Sequence, residues 1–172
     1  VRDSVLNACG TINLEMGGKS VTPPVPDIVL AGSSVKGKGW GKCTPEEANR
    51  RSVYVKVMRS MQMPLLINHD MADTDSTCPV RFNTTVPTQA LNMLNGKFMN
   101  DSAKSFANRL RTEAGKEPNK QVERALKLFS RSPQMHEINA GVEMMKNMKN
   151  KFSLSEEEAL DRFALLALNL NE

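Results

Sequence analysis

The placement of proline and glycine constrains this chain more than any other feature, because it divides the sequence near Pro87. Upstream, apolar runs are short and punctuated. Pro23, Pro24 and Pro26 forbid helix, and Gly37, Gly39 and Gly41 leave no side chains to pack. Downstream, apolar residues recur every three or four positions, the period of helices with one buried face. A chain of 172 residues can bury a sizeable core, and eleven Met against one Trp, one Tyr and six Phe make that core aliphatic and thioether in character. The expected fold is mainly α: an irregular N-terminal half with a short β element, packed on a C-terminal antiparallel helical bundle. The halves are residues 1–86, with short helices and one strand, and residues 87–172, the two forming one cooperative domain.

The first nine residues read as a helix with Val1, Val5 and Leu6 (or Ala8 and Cys9) inward, stopped by Gly10. Thr44-Pro45-Glu46-Glu47 has the form of a capping box, with Pro at the first helical position, and opens a helix ending near Arg50. Residues 52–58 alternate, so that Val53, Val55 and Val57 share a face; this is the best strand candidate, with Ile28-Val29-Leu30 as its nearest partner. Residues 64–67 form a short buried turn ahead of an acidic loop over 70–79. Further on, helices are expected over 87–94 with Ala90, Leu91 and Leu94 inward, and over 101–114 with Ala103, Phe106, Ala107 and Leu110 inward. Two more cover 119–130 (Val122, Ala125, Leu126, Phe129) and 133–152 (Ile138, Val142, Met145, and Met148 or Lys149). Ser155 and Glu158 open a last helix with Leu160, Phe163, Ala167 and Leu170 inside. Connections of two to five residues imply antiparallel neighbours.

Residue types exclude several function classes. The formal charge is +4, and its basic excess lies between Lys97 and Lys151 at helical spacing. With no aromatic platform among these cations, they read as a solvated helix face, and no nucleic-acid partner is expected. Two His residues exclude a three-histidine metal site. Cys9, Cys43 and Cys78 contain no CxxC and no heme-attaching CxxCH, so no cofactor is expected in this chain. One Cys9–Cys43 or Cys43–Cys78 bridge can form if the chain is exported. The run from Gly32 to Gly39 fails as a phosphate-binding loop, because Gly39 stands where a magnesium-ligating hydroxyl belongs. No apolar run is long enough to span a membrane. Opening at Val1 with no initiator Met, the sequence reads as a fragment of a longer protein.

Residues able to carry chemistry gather around the acidic loop. Asp70, Asp73 and Asp75 make a weak calcium candidate, but an EF-hand loop starting at Asp73 fails, with Cys78 and Thr84 at its sixth and twelfth positions. In the simpler reading, these carboxylates accept bonds from their own turn. Arg50 and Arg51 precede the expected strand and Arg81 follows the loop, where each can pin a carboxylate bidentately. Arg81 is expected to reach back to Asp70 or Asp73, Thr85 to cap the helix at Pro87, and Gln89 to point toward the N-terminal half. The candidate polar site is therefore Arg50, Arg51, Asp70, Asp73, Arg81, Thr85 and Gln89, with no residue assigned a catalytic role. His69 and His136 read as non-catalytic, and no Ser-His-Asp arrangement can be assembled.

Several blocks carry a family resemblance. Met16-Gly17-Gly18-Lys19-Ser20-Val21, Arg50-Arg51-Ser52-Val53-Tyr54-Val55, Arg59-Ser60, Asp70 and Cys78-Pro79 come in order along the chain. Thr85-Val86-Pro87-Thr88-Gln89-Ala90-Leu91-Asn92-Met93-Leu94-Asn95 and the closing Ala167-Leu168-Asn169-Leu170-Asn171-Glu172 follow. Together they resemble the C-terminal part of a planctomycete-specific domain of unknown function. The chain departs from it at Lys19, where Pro is usual, and in its glycine-rich 37–41 segment. The resemblance implies a large secreted or periplasmic parent protein, with heme confined to an attached cytochrome c-like domain. It carries no catalytic residues over. The expected function is a non-catalytic binding or structural module of an exported, redox-associated protein, with other domains of the parent and an anionic glycan as partners. The alternative is part of a hydrolase or lyase acting on anionic polysaccharide.

Overall fold

The computed structural model describes residues 1–31, 39–59, 61–72, 74, 77, 86–129 and 131–170. These are mainly helical: α1 (Arg2–Cys9), α2 (Asp27–Ala31), α3 (Pro45–Ala48), α4 (Pro64–Ile67), α5 (Pro87–Asn95), α6 (Lys97–Ala114), α7 (Pro118–Leu126), α8 (Met135–Phe152) and α9 (Glu156–Ala167). Short 3-10 turns lie at Ser52–Tyr54 and Lys127–Phe129. Residues cluster into two compact units, one of Val1–Asn7 with Thr11–Asn92, the other of Ala8–Gly10 with Met93–Glu172.

In the first unit the chain runs extended between short helices, and the capping box forms as its sequence requires. Thr44 Oγ1 accepts the Glu47 N–H at 3.2 Å, and the Glu47 carboxylate accepts the Thr44 N–H at 2.8 Å. The expected strand over 52–58 does not form. Asp3 Oδ1 accepts both the Ser52 N–H (2.8 Å) and the Ser52 hydroxyl (2.6 Å), and so caps a 3-10 turn that Val55 N–H closes onto Ser52 O. That turn destroys the alternation: Val55 is 5% exposed, while Val53 is 75% exposed. Nor is Ile28-Val29-Leu30 its partner, because these residues lie in α2, which Asp27 opens with an acidic first turn. Isolated parallel bridges, Asn13 with Arg50 and Val21 with Val55, take the place of a sheet among the described residues. Val21, Trp40, Met61, Met63 and Leu65 are buried. Trp40 satisfies its one donor by giving Nε1–H to Pro23 O at 2.8 Å.

In the second unit α6 packs on α7 and α9, and α8 packs on α7 and α9. Met99, Phe106, Leu110 and Val122 are essentially inaccessible, each burial worth about 1.5–3 kcal/mol in transfer free energy. Gly141 of α8 allows the closest approach. A Cβ there would lie 2.7 Å from Val122 Cγ1 and 2.9 Å from Phe163 Cε2. Ser155 caps α9 through a reciprocal pair with Glu158. α6 begins a turn earlier than its sequence signal, because Gly96 takes an extended N-cap conformation and Met99 supplies a buried anchor in the first turn. Val1, Leu91, Leu94 and Leu170, all expected inward, are exposed. The helical period identifies a stripe, but it does not supply the neighbour that covers it. The expectation for Phe129 lies outside the described side chains.

Candidate functional site

Arg50, first of the candidate polar residues, is 5% exposed. Its guanidinium gathers carbonyls of one loop: Nη1 donates to Lys19 O at 3.0 Å, and Nη2 donates to Glu15 O at 3.2 Å and to Gly17 O. The same group lies over the Tyr54 ring, 3.9 Å from the centroid. The Tyr54 hydroxyl in turn accepts the Gly17 N–H at 2.9 Å. Among the described residues Arg50 meets no carboxylate, and its buried Nε has no hydrogen-bond partner. Carbonyl dipoles and a π face take the place of a counter-ion. Gly17 and Gly18 allow the wrap, since both have φ near +80°, where side chains are strained. The blocks around Met16–Val21 and Arg50–Val55 are thus two sides of one contact. Val21 exchanges backbone bonds of 2.8 Å with Tyr54 O and Lys56 N–H beside it.

A second buried arginine, Arg2, supports the first. Arg2 Nη1 donates to Arg50 O at 2.8 Å and to Ser52 Oγ at 3.3 Å, while Nη2 donates to Ala48 O. Asp3 lies 3.5 Å away as its counter-ion. Burial lowers the Arg2 pKa from the ordinary arginine value, and Asp3 opposes that shift. Sequence reading passed over Arg2. The signal was a cation on the same helical face as Val5, Leu6 and Cys9, where a charge must be buried or must bend away.

Asp70 is placed by its backbone. It takes φ +59° just after α4, with its N–H on Ile67 O (3.2 Å) and the Met71 N–H on Leu66 O (3.0 Å), a Schellman-type closure in which Asp fills the left-handed position. His69 Nδ1 lies 2.9 Å from Leu65 O. Arg51 is exposed, and its carbonyl accepts the Tyr54 N–H. Gln89 is half-buried in the first turn of α5, with its N–H on Val86 O. Asp73, Asp75, Arg81 and Thr85 lie outside the described residues. So do the expected Arg81 ion pair, the Thr85 cap, Cys78 and the glycine-rich run from Gly32 to Lys38. Among the described residues no three of His, Cys, Asp and Glu are grouped to hold a metal ion.

The cations of the second unit are largely paired. Glu113 receives Arg109 at 2.6 Å and Arg124 at 2.5 Å, and these contacts, Arg109's first, lower its pKa. Arg109 also donates to Ala8 O at 2.8 Å, beside the buried Cys9 thiol on Ser102 O. Burial pushes the Cys9 pKa up to about 11, which keeps it a thiol. Arg131 grips Glu137 with two bonds of 2.9 and 2.7 Å and, with the Gln134 N–H, holds the Glu137 pKa down at about 2. Cys9 and Cys43 are both free thiols. No helix among the described residues is long and apolar enough to cross a membrane.

These features define a helical domain whose loop-rich unit is clasped by two buried arginines turned onto main-chain carbonyls. The chain belongs to the family described as "Protein of unknown function (DUF1553)", which matches residues 1–145. No curated protein and no solved structure matches it.

Proposed function

We propose that this chain is a non-catalytic binding or structural module of a larger exported protein. The observation carrying this reading is the use made of Arg50: its Nη donors are turned inward onto Glu15, Gly17 and Lys19 carbonyls rather than presented to a ligand. Catalytic or ligand-gripping arginines need donors aimed at a substrate, whereas these hold a loop. Asp70 has the same character, since it occupies a helix-terminating position. In this reading the parent is a planctomycete-type protein, periplasmic or secreted, with heme in an attached cytochrome c-like domain. The partners are the parent's other domains and an anionic glycan. The N-terminal half serves as the irregular, loop-rich half of one cooperative domain.

The alternative is part of a hydrolase or lyase acting on anionic polysaccharide, with Asp70, Asp73, Arg50, Arg51 and Arg81 around the substrate. One experiment separates the two. Sulfated and uronic-acid polysaccharides are incubated with the purified chain while reducing ends and unsaturated products are followed. The module reading expects no turnover, with any affinity for glycan falling as salt rises. Turnover that disappears in Asp70→Asn, in a variant that still folds, would establish the enzyme instead.

A further inference from the structure

The C-terminal part of α8 carries an apolar stripe with no cover among the described residues. Ala140, Met144, Met148 and Phe152 recur every four residues and line an open groove of about 450 Å³ together with Glu143 and Lys151. Phe152 is 71% exposed. Glu143 and Lys151 are also exposed, and neither forms an ion pair with a described residue, whereas nearby Lys149 is held by Glu156 at 3.8 Å.

We propose that this groove is the docking site for a second copy of the chain, with α8 lying antiparallel against its twin. The stripe is self-complementary only in that direction. With a two-fold axis at the level of Lys146, Ala140 of each copy faces Phe152 of the other, so the smallest residue opposes the largest. Met144 then faces Met148, pairing two flexible thioethers able to fill an irregular seam. Glu143 lies on the same flank as Lys151 of the other copy, about 3 Å out of register along the axis, within reach of these long side chains, so that two charges with no ion pair among the described residues meet. A two-fold interface makes each of these contacts twice. A parallel pair would instead set Phe152 on Phe152 and Lys151 on Lys151. From Ala140 to Phe152 the seam runs about 18 Å at the helical rise of 1.5 Å per residue. One helix seam buries less than the roughly 1,200–2,000 Å² of a stable interface, so the dimer is weak, dissociating in the range of about tens of micromolar. The inference is independent of whether the module binds glycan.

Sedimentation velocity on the whole chain, from about 1 to 300 µM, tests it. The sedimentation coefficient is expected to climb from monomer to dimer across that range. Glu143→Lys and Lys151→Glu should each weaken association about tenfold, by placing like charges together twice. An equimolar mixture of the two variants should associate again, because their reversed charges complement one another across the two-fold axis. Both positions are exposed, so circular dichroism and melting should match the unaltered chain. The proposal is overturned by a monomer at every concentration, which would leave the groove to a different partner. It is equally overturned by a dimer indifferent to both charge reversals, or by a mixture no more associated than its components.

Discussion

The Arg50 guanidinium lies over the ring of Tyr54, 3.9 Å from its centroid, and the hydroxyl of that ring holds the N–H of Gly17, whose carbonyl Arg50 itself binds. One cation and one aromatic therefore fix both sides of a single peptide segment. Arg50→Lys keeps the charge but loses the planar fork and the stack, and should lower unfolding stability by about 2–4 kcal/mol. Tyr54→Phe removes only the bond to Gly17 and should lower it by about 1 kcal/mol. Urea denaturation measures both. An unchanged midpoint for the lysine variant would mean that the guanidinium is not what orders the loop.

Gly141→Ala sets a general helix preference against a local clash. Alanine favours the helix by up to about 1 kcal/mol, yet the new methyl meets Val122 Cγ1 at 2.7 Å and Phe163 Cε2 at 2.9 Å. Overpacking of this kind costs about 1–3 kcal/mol, so a net loss is expected. Val122→Ala should recover part of that loss when combined with it. Strict additivity in the double-variant cycle would show that the two residues do not compete for space.

Glu137 gives a pH signature. Arg131 and the Gln134 N–H hold its pKa at about 2 against an ordinary 4.5, so the folded state favours the carboxylate. Its stabilising contribution is complete above the ordinary value and is lost as pH falls from there toward 2. Melting temperatures of the unaltered chain and Glu137→Gln should differ at neutral pH and converge on acidification. A gap that stays constant down to pH 2 would contradict the assignment.

Cysteine alkylation offers a probe of the second unit. Cys9 is buried with its pKa raised to about 11, so in the native chain near pH 8 it should resist a small alkylating reagent. The half-buried Cys43 should react first, and both should react in denaturant. Peptide mass spectrometry showing Cys9 labelled as quickly as Cys43 would mean that Ala8–Gly10 opens readily.

The helices after residue 96 were legible because local signals there agree with packing. A 3.6-residue apolar period, the Ser155–Glu158 box and a terminal glycine each specify the same outcome. The 52–58 segment misled because valine alternation is a local preference, whereas Asp3, 49 residues away, decides the backbone by capping Ser52. Arg50 stands out in the sequence as a polar candidate, but no sequence pattern reveals that its partners are carbonyls. Main-chain acceptors occur at every residue and leave no compositional trace. Asp70 was read for its carboxylate, and its described role comes from its φ angle.

The arginine clasp also fixes an order of assembly. Arg2 meets Arg50 O across 48 residues and Ala48 O across 46. Closing a loop of that length costs about 3 kcal/mol in chain entropy before any bond is made. The extended segment over 11–21 has isolated bridges in place of a sheet ladder to hold it beforehand. It can become ordered only when the 44–55 stretch has arrived, so the two should acquire hydrogen-exchange protection in the same kinetic phase, as one late-closing foldon.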